Sequence, residues 1–231
     1  VLDVKEIDAA YGRAKVLHDV SLNVNRGEMV FIVGRNGAGK TTLLKTISGL
    51  MKPAKGYVSF EGRDTRGLTA VKLARLGMRY VAQDKKVFGN LTVRSNIELA
   101  AYASGVAMPS AIERVTSIYP DISKFMDRKA GGLSGGQREI LLIGRAMVGS
   151  PRLLLIDEPT EGLAAIVIED IMRILTRMKE GSEVSAIIVE QNLSVVNRLA
   201  DRIYIMKEGK MIREIADKAQ MTDTSEMENY L

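Results

Sequence analysis

The run Gly34-Arg35-Asn36-Gly37-Ala38-Gly39-Lys40-Thr41 has the spacing G-x-x-x-x-G-K-[ST], and Thr42 follows it. Glycines let the backbone wrap closely, so that successive N–H groups converge on an anion, and a helix opening behind them adds its positive end. The chemistry this predicts is phosphate binding. Arg35, Asn36, Ala38, Thr42 and the glycines form the cradle, Lys40 reaches the β- and γ-phosphates, and the Thr41 hydroxyl meets a magnesium ion. Downstream, Asp157 closes the aliphatic run Leu153-Leu154-Leu155-Ile156, as an acid that holds Mg2+ through water would. Glu158 comes next, where a carboxylate can orient or deprotonate an attacking water. In Leu133-Ser134-Gly135-Gly136-Gln137, two glycines and a serine precede a helical stretch, a second small anion-binding turn.

Elements must hold these groups in place. Residues 4–7, 17–24, 29–33 and 57–61 are rich in β-branched side chains, are punctuated by Gly12, Gly27, Gly56 and Gly62, and are predicted strands. The third runs into the glycine loop, and a helix is predicted from there to about residue 50, where Gly49 and Pro53 stop it. Helices are also predicted over 96–103, 110–118 and 137–147. Residues 153–157 and 185–189 are apolar almost throughout, the pattern of strands buried on both faces of a parallel sheet. Between them Ile168, Ile171, Met172, Leu175 and Met178 share one helical stripe. Asn192 is expected to cap a helix reaching Ala200, and residues 202–206 and 210–215 to form a hairpin turning at Glu208-Gly209. This alternation predicts an α/β fold, with an antiparallel layer near the start and a helical insert in the middle.

Bulk properties bound the function classes. The 33 basic and 28 acidic residues leave a charge of +5, spread without any run of four basic residues. Tryptophan is absent and aromatics are 5% of the chain, so the basic stripe with interleaved aromatics expected of a nucleic-acid binder is missing. No cysteine is present, which excludes disulfides and thiol chemistry. Asp3, Glu6 and Asp8 do not suit a signal peptide. No apolar run approaches the ~20 residues that span a bilayer, so a membrane role is expected to need separate membrane partners.

Taken with Asp157-Glu158-Pro159, the Leu133–Gln137 string resembles the ABC ATPases across essentially the whole chain. The resemblance implies a P-loop NTPase core of mostly parallel sheet flanked by helices, with an antiparallel β subdomain and a helical subdomain. It implies one domain over 1–231, with the ATP-binding core and β subdomain in 1–86 and 151–216, the helical subdomain in 87–150 and a tail in 217–231. ATP and Mg2+ are the expected ligands. In this family Ser134, Gly135, Gly136 and Gln137 meet the γ-phosphate of ATP held by a second ATPase subunit. Tyr11 matches the aromatic that stacks on adenine, and Gln83 the loop glutamine that meets Mg2+ and signals to the membrane subunit. The stretch from Phe88 to Val93 resembles the surface that receives a coupling helix. Integral membrane permease subunits are the implied partners, with a solute-binding protein acting indirectly, at the cytoplasmic face of the cell membrane.

Two departures stand out. The family's switch histidine is replaced by Gln191, and the single histidine, His18, lies far upstream as a strand residue. An amide can donate a hydrogen bond but cannot take up a proton. The aspartate that often follows Gly-Leu after the catalytic glutamate is here Ala164. Both strings resemble the smaller ATP-binding subunit of branched-chain amino acid importers, with Lys40, Glu158 and Gln191 as the catalytic set. Two other readings stay open: a nucleotide-binding regulatory module with a weakly active site, and an ABC ATPase outside transport. Against the second, no long heptad pattern fills the stretch between Lys40 and Leu133.

Overall fold

The structure is a computed structural model that describes residues 1–84, 86–181, 184–217 and 220–221. The tail expected over 217–231 lies almost wholly outside these. The strands are β1 (Leu2–Tyr11), β2 (Ala14–Val24), β3 (Met29–Val33), β4 (Lys55–Phe60), β5 (Arg63–Asp64), β6 (Met78–Val81), β7 (Leu153–Asp157), β8 (Ser185–Val189), β9 (Arg202–Lys207) and β10 (Lys210–Ile215). The helices are α1 (Lys40–Ile47), α2 (Ala70–Arg75), α3 (Val93–Ser104), α4 (Met108–Ile118), α5 (Gly135–Met147), α6 (Ala165–Gly181) and α7 (Leu193–Leu199).

Strands β3, β7 and β8 are buried along their whole length, as their apolar composition requires. They lie in a six-stranded sheet of order β10-β9-β3-β8-β7-β6, parallel except for the β9–β10 pair. Ile32 pairs with Val189 and Asp157 with Val189, so the carboxyl ends of β3, β7 and β8 share one edge. Open parallel sheets bind ligands at that edge. A second, antiparallel sheet has the order β2-β1-β4-β5.

Apolar side chains cover both faces of the parallel sheet. Leu43, Leu44 and Ile47 of α1 fill the layer between it and the antiparallel sheet, against Val4, Ile7, Val30, Leu155 and Ile187. On the opposite face Ile140, Ile143 and Met147 of α5 and Ile171, Leu175 and Met178 of α6 meet Phe31, Ile156 and Ile188. A third cluster, around Ile97, Val115, Ile122, Phe125 and Leu141, holds α3, α4 and α5 together.

Element edges differ from the sequence expectation for local reasons. Strand β1 starts at Leu2 and runs to Tyr11 because bulges between Val4 and Ala10 break its alternation, with Glu6 at φ 48°. Helix α1 ends at Ile47, with Ser48 as its cap, before Gly49 turns left-handed. Helices α3 and α5 begin two or three residues earlier than predicted because Thr92 and Ser134 cap them. The short β5, β6 and α2 carry too few residues to show a period.

Candidate functional site

The phosphate loop leaves β3 and opens α1. Strand β9 presses so close to it that a Cβ on Gly34 would stand 2.2 Å from the Met206 carbonyl oxygen, so only glycine fits there. Gly39 is the α1 N-cap at φ 104°. Among the described residues the backbone N–H groups of Gly37, Gly39, Lys40 and Thr41 have no hydrogen-bond acceptor. They are the donors an anion would satisfy at this helix end. The buried Lys40 ammonium donates to the carbonyls of Gly34 (2.6 Å) and Arg35 (3.1 Å) and pairs with Glu158 Oε1 at 3.2 Å.

Glu158 leaves β7 with φ 50°, a conformation costly for a non-glycine residue. Its N–H donates to Val189 O at 3.0 Å, which ties it to β8. Its carboxylate is the hub of the site. Oε1 also accepts from Gln191 Nε2 (2.9 Å), and Oε2 accepts from Gln83 Nε2 (3.2 Å). Gln191 Nε2 donates to Asn36 Oδ1 at 2.8 Å, and Gln83 Nε2 to Glu161 Oε2 at 2.7 Å. Asn36, Gly37, Lys40, Thr41, Gln83 and Glu158 thus line one open cleft of about 260 Å3.

Asp157 is buried beside this hub. Its Oδ1 accepts from the Thr41 hydroxyl at 3.2 Å and its Oδ2 from the Tyr80 hydroxyl at 3.0 Å. Burial raises the Asp157 carboxyl above its ordinary value, helped by the Glu158 charge and opposed by the two hydrogen bonds and by Lys40. Burial, then the Asp157 charge, push the Tyr80 phenol far up, so it stays protonated and donates. Hard oxygen donors beside surplus negative charge suit Mg2+, and Thr41 and Asp157 can hold it. No group of three or more His, Cys, Asp or Glu side chains forms a metal cage among the described residues.

The other expected residues stand apart. Ser134 caps α5 through a reciprocal pair, with Gln137 N donating to Ser134 Oγ (3.2 Å) and Ser134 N to Gln137 Oε1 (3.1 Å). Among the described residues no hydrogen bond joins this turn to the Lys40 cleft. A Cβ on Gly136 would lie 2.2 Å from Val167 Cγ1 of α6, so packing also requires glycine there. Tyr11 ends β1 opposite Ala14, half exposed. It does not line the cleft. His18 sits in β2 and donates its backbone N–H to Gly209 O at 2.8 Å, a structural contact.

Sequence reasoning missed three residues. Tyr80 lies opposite Leu155, so its position in the β6–β7 register aims it at Asp157 two residues on. Its hydroxyl, beside Arg79 in a strand bounded by buried Met78 and Val81, was the available signal. The fully buried Asn96 binds both the N–H and the carbonyl of Phe88, and shapes the 88–92 loop. Glu190, buried at the end of β8, ties two turns of the site together.

The family profile described as "ABC transporter" matches residues 17–161, and the chain belongs to the ABC transporter family. It is an ATP-binding, ATP-hydrolysing subunit of such a transporter. The high-affinity branched-chain amino acid transport ATP-binding protein BraG of Pseudomonas aeruginosa is 34% identical, over 100% of this chain and 99% of its own. The ADP conformation of MJ1267, an ATP-binding cassette of an ABC transporter, superposes with a TM-score of 0.85 at 28% identity, covering 100% of this chain and 96% of that one. The dimeric post-hydrolysis state of the cassette MJ0796, bound to ADP and Pi, gives 0.84 at 28% identity, covering 94% and 98%. Further relatives at 29 to 32% identity are named for branched-chain amino acid transport, lipopolysaccharide export and methionine import. Cassettes of this family bind ATP and ADP, dimerise, and pair with membrane permease subunits. No helix among the described residues is long and apolar enough to cross a membrane.

Proposed function

We propose that this chain drives an importer for branched-chain amino acids, working on the inner face of the membrane beneath its permease subunits and, indirectly, a solute-binding protein. The full-length similarity to BraG supports the solute class. Gln191 and Ala164, in the strings shared with that sub-family, support it further. For the chemistry, the observation that carries the reading is the convergence of Lys40, Gln83 and Gln191 on the one buried carboxylate of Glu158.

The free N–H groups of the loop and the Lys40 ammonium bind the phosphate chain of ATP. Lys40 trades Glu158 for phosphate oxygens. Tyr11 stacks on the base. Thr41, Asp157 and Gln83 would hold Mg2+, which when bound would supply charge neutralisation at the phosphates. Glu158, released from the ammonium, accepts a proton from water. That water oxygen attacks the γ-phosphorus in line as the bond to the ADP oxygen breaks. Gln191 orients Glu158 and donates to a γ-phosphate oxygen. Ser134–Gln137 serve the site of the facing subunit, in keeping with their separation from this chain's own cleft.

The membrane subunit docks in the groove beside Phe88, lined by Val71, Arg79, Tyr102 and Arg145. Phe88 is half exposed and carries the Arg145 guanidinium over its ring at 5.1 Å.

Two measurements test this reading. Lys40→Ala is expected to weaken ATP binding and turnover together, whereas Glu158→Gln keeps binding and stalls hydrolysis. Parental turnover in Glu158→Gln removes Glu158 from the mechanism. For the solute, tagged full-length chain is purified from native membranes and the co-purifying permease is assayed for leucine uptake. Uptake of an unrelated solute alone sinks the branched-chain reading.

A further inference from the structure

We propose that Glu190 is a positioning residue that locks the turn after Glu158 to the turn carrying Gln191, and so holds the water-activating carboxylate in its strained geometry. Glu190 is 2% exposed. Among the described residues no lysine or arginine pairs with it. A buried carboxylate is costly unless hydrogen bonds satisfy it. Here four donors do. Oε1 accepts from Thr160 N at 3.1 Å and from Thr160 Oγ1 at 2.5 Å, and Oε2 accepts from Gln191 N at 2.8 Å and Asn192 N at 2.9 Å.

The two turns are thirty residues apart in the chain and meet only at the carboxyl edge of the sheet. Glu190 is anchored there by its own N–H, which donates to Ile32 O at 3.2 Å. Each oxygen therefore serves one turn. Fixing Thr160 closes the exit of the chain from Glu158, whose φ of 50° would otherwise relax toward an ordinary value. Fixing the Gln191 backbone sets its side-chain amide between Asn36 and Glu158. The donor count also dictates the residue type. A carboxylate is acceptor-only at both oxygens, whereas a glutamine would turn its NH2 either toward the Thr160 N–H or toward the Gln191 and Asn192 N–H groups. The isostere is thus a sharp probe: it keeps the volume and breaks one of the two ties.

The roles assigned to Glu158 and Gln191 underlie this inference, so the test has an arm independent of them. In full-length chain, Glu190→Gln is expected to lower kcat about tenfold while KM for ATP stays within twofold. Hydrogen–deuterium exchange should rise at Thr160, Gln191 and Asn192, with β7 and β8 still protected. Parental kcat and parental exchange overturn the proposal, as does a loss spread evenly over the whole sheet. Altered exchange with unchanged kcat leaves the lock standing and removes the catalytic reading of Glu158 and Gln191.

Discussion

One amide nitrogen of Gln191 serves both Asn36 and Glu158, at 2.8 and 2.9 Å. A hydrogen bond to a charged group such as Glu158 or a phosphate is worth about 1.5–3 kcal/mol, so Gln191→Ala should slow turnover by roughly ten- to a hundredfold without abolishing it. Because the amide does not titrate, the parental pH–rate profile should show no ionisation from this position between about pH 5 and 8, whereas Gln191→His should add one. Equal profiles and equal rates in all three proteins would leave Gln191 without a role. Tyr80 offers a second test. Its hydroxyl engages one oxygen of Asp157 and leaves the other beside Thr41. Tyr80→Phe should leave nucleotide binding without metal unchanged and raise the Mg2+ concentration needed for half-maximal ATP affinity about tenfold or more, since a hydrogen bond to a charged group contributes about 1.5–3 kcal/mol. Calorimetric titration with and without Mg2+ separates the two effects. The phosphate loop and acid pair were legible as strings because each role depends on residue type at fixed spacing. Tyr80 and Glu190 were not, because their partners are 77 and 30 residues away and only the sheet register unites them.

Helix α5 begins at a glycine pair that has two duties. The first is the capping box at Ser134, whose loss in Ser134→Ala should destabilise the helix start by about 1 kcal/mol. The second is the approach to α6, where a Cβ on Gly136 would fall 2.2 Å from Val167 Cγ1. Gly136→Ala should therefore lower stability by roughly 1–3 kcal/mol through overpacking, and Val167→Ala should restore part of it. Denaturant unfolding of both single variants and the pair reads this directly; strictly additive losses would show that the two residues do not meet. The sequence marks Gly136 as part of an anion-binding turn but says nothing of α6, since packing between elements leaves no periodic trace. The buried stripe of α6 was legible, and Ile171, Met172, Leu175 and Met178 are each at most 2% exposed. Strand β1 was read too short for the converse reason. Its bulges put Lys5 and Glu6 side by side on the exposed side, and that interrupts the alternation on which strands are recognised.

For the molecule as a whole, the cleft and the proposed docking groove share no lining residue, so chemistry and docking should separate by substitution. Phe88→Glu should leave ATP binding by the chain unchanged and abolish co-purification of the membrane subunits, and retained co-purification would move the docking surface elsewhere. Glu158→Gln should shift to dimer mass with ATP in size-exclusion chromatography, and a monomer under those conditions would argue against the two-subunit sandwich. The place of β3 in the sheet has a consequence for birth of the protein on the ribosome. Its neighbours are β8 and β9, which lie over 150 residues further along the chain. At roughly 5–20 residues per second the strand bearing the phosphate loop then waits on the order of ten seconds, apolar and unpaired, for either neighbour to be made. A nascent chain stalled before residue 185 should fail to bind ATP-agarose and should recruit chaperones at residues 29–33, whereas one extended well past residue 207 should bind and be released from them.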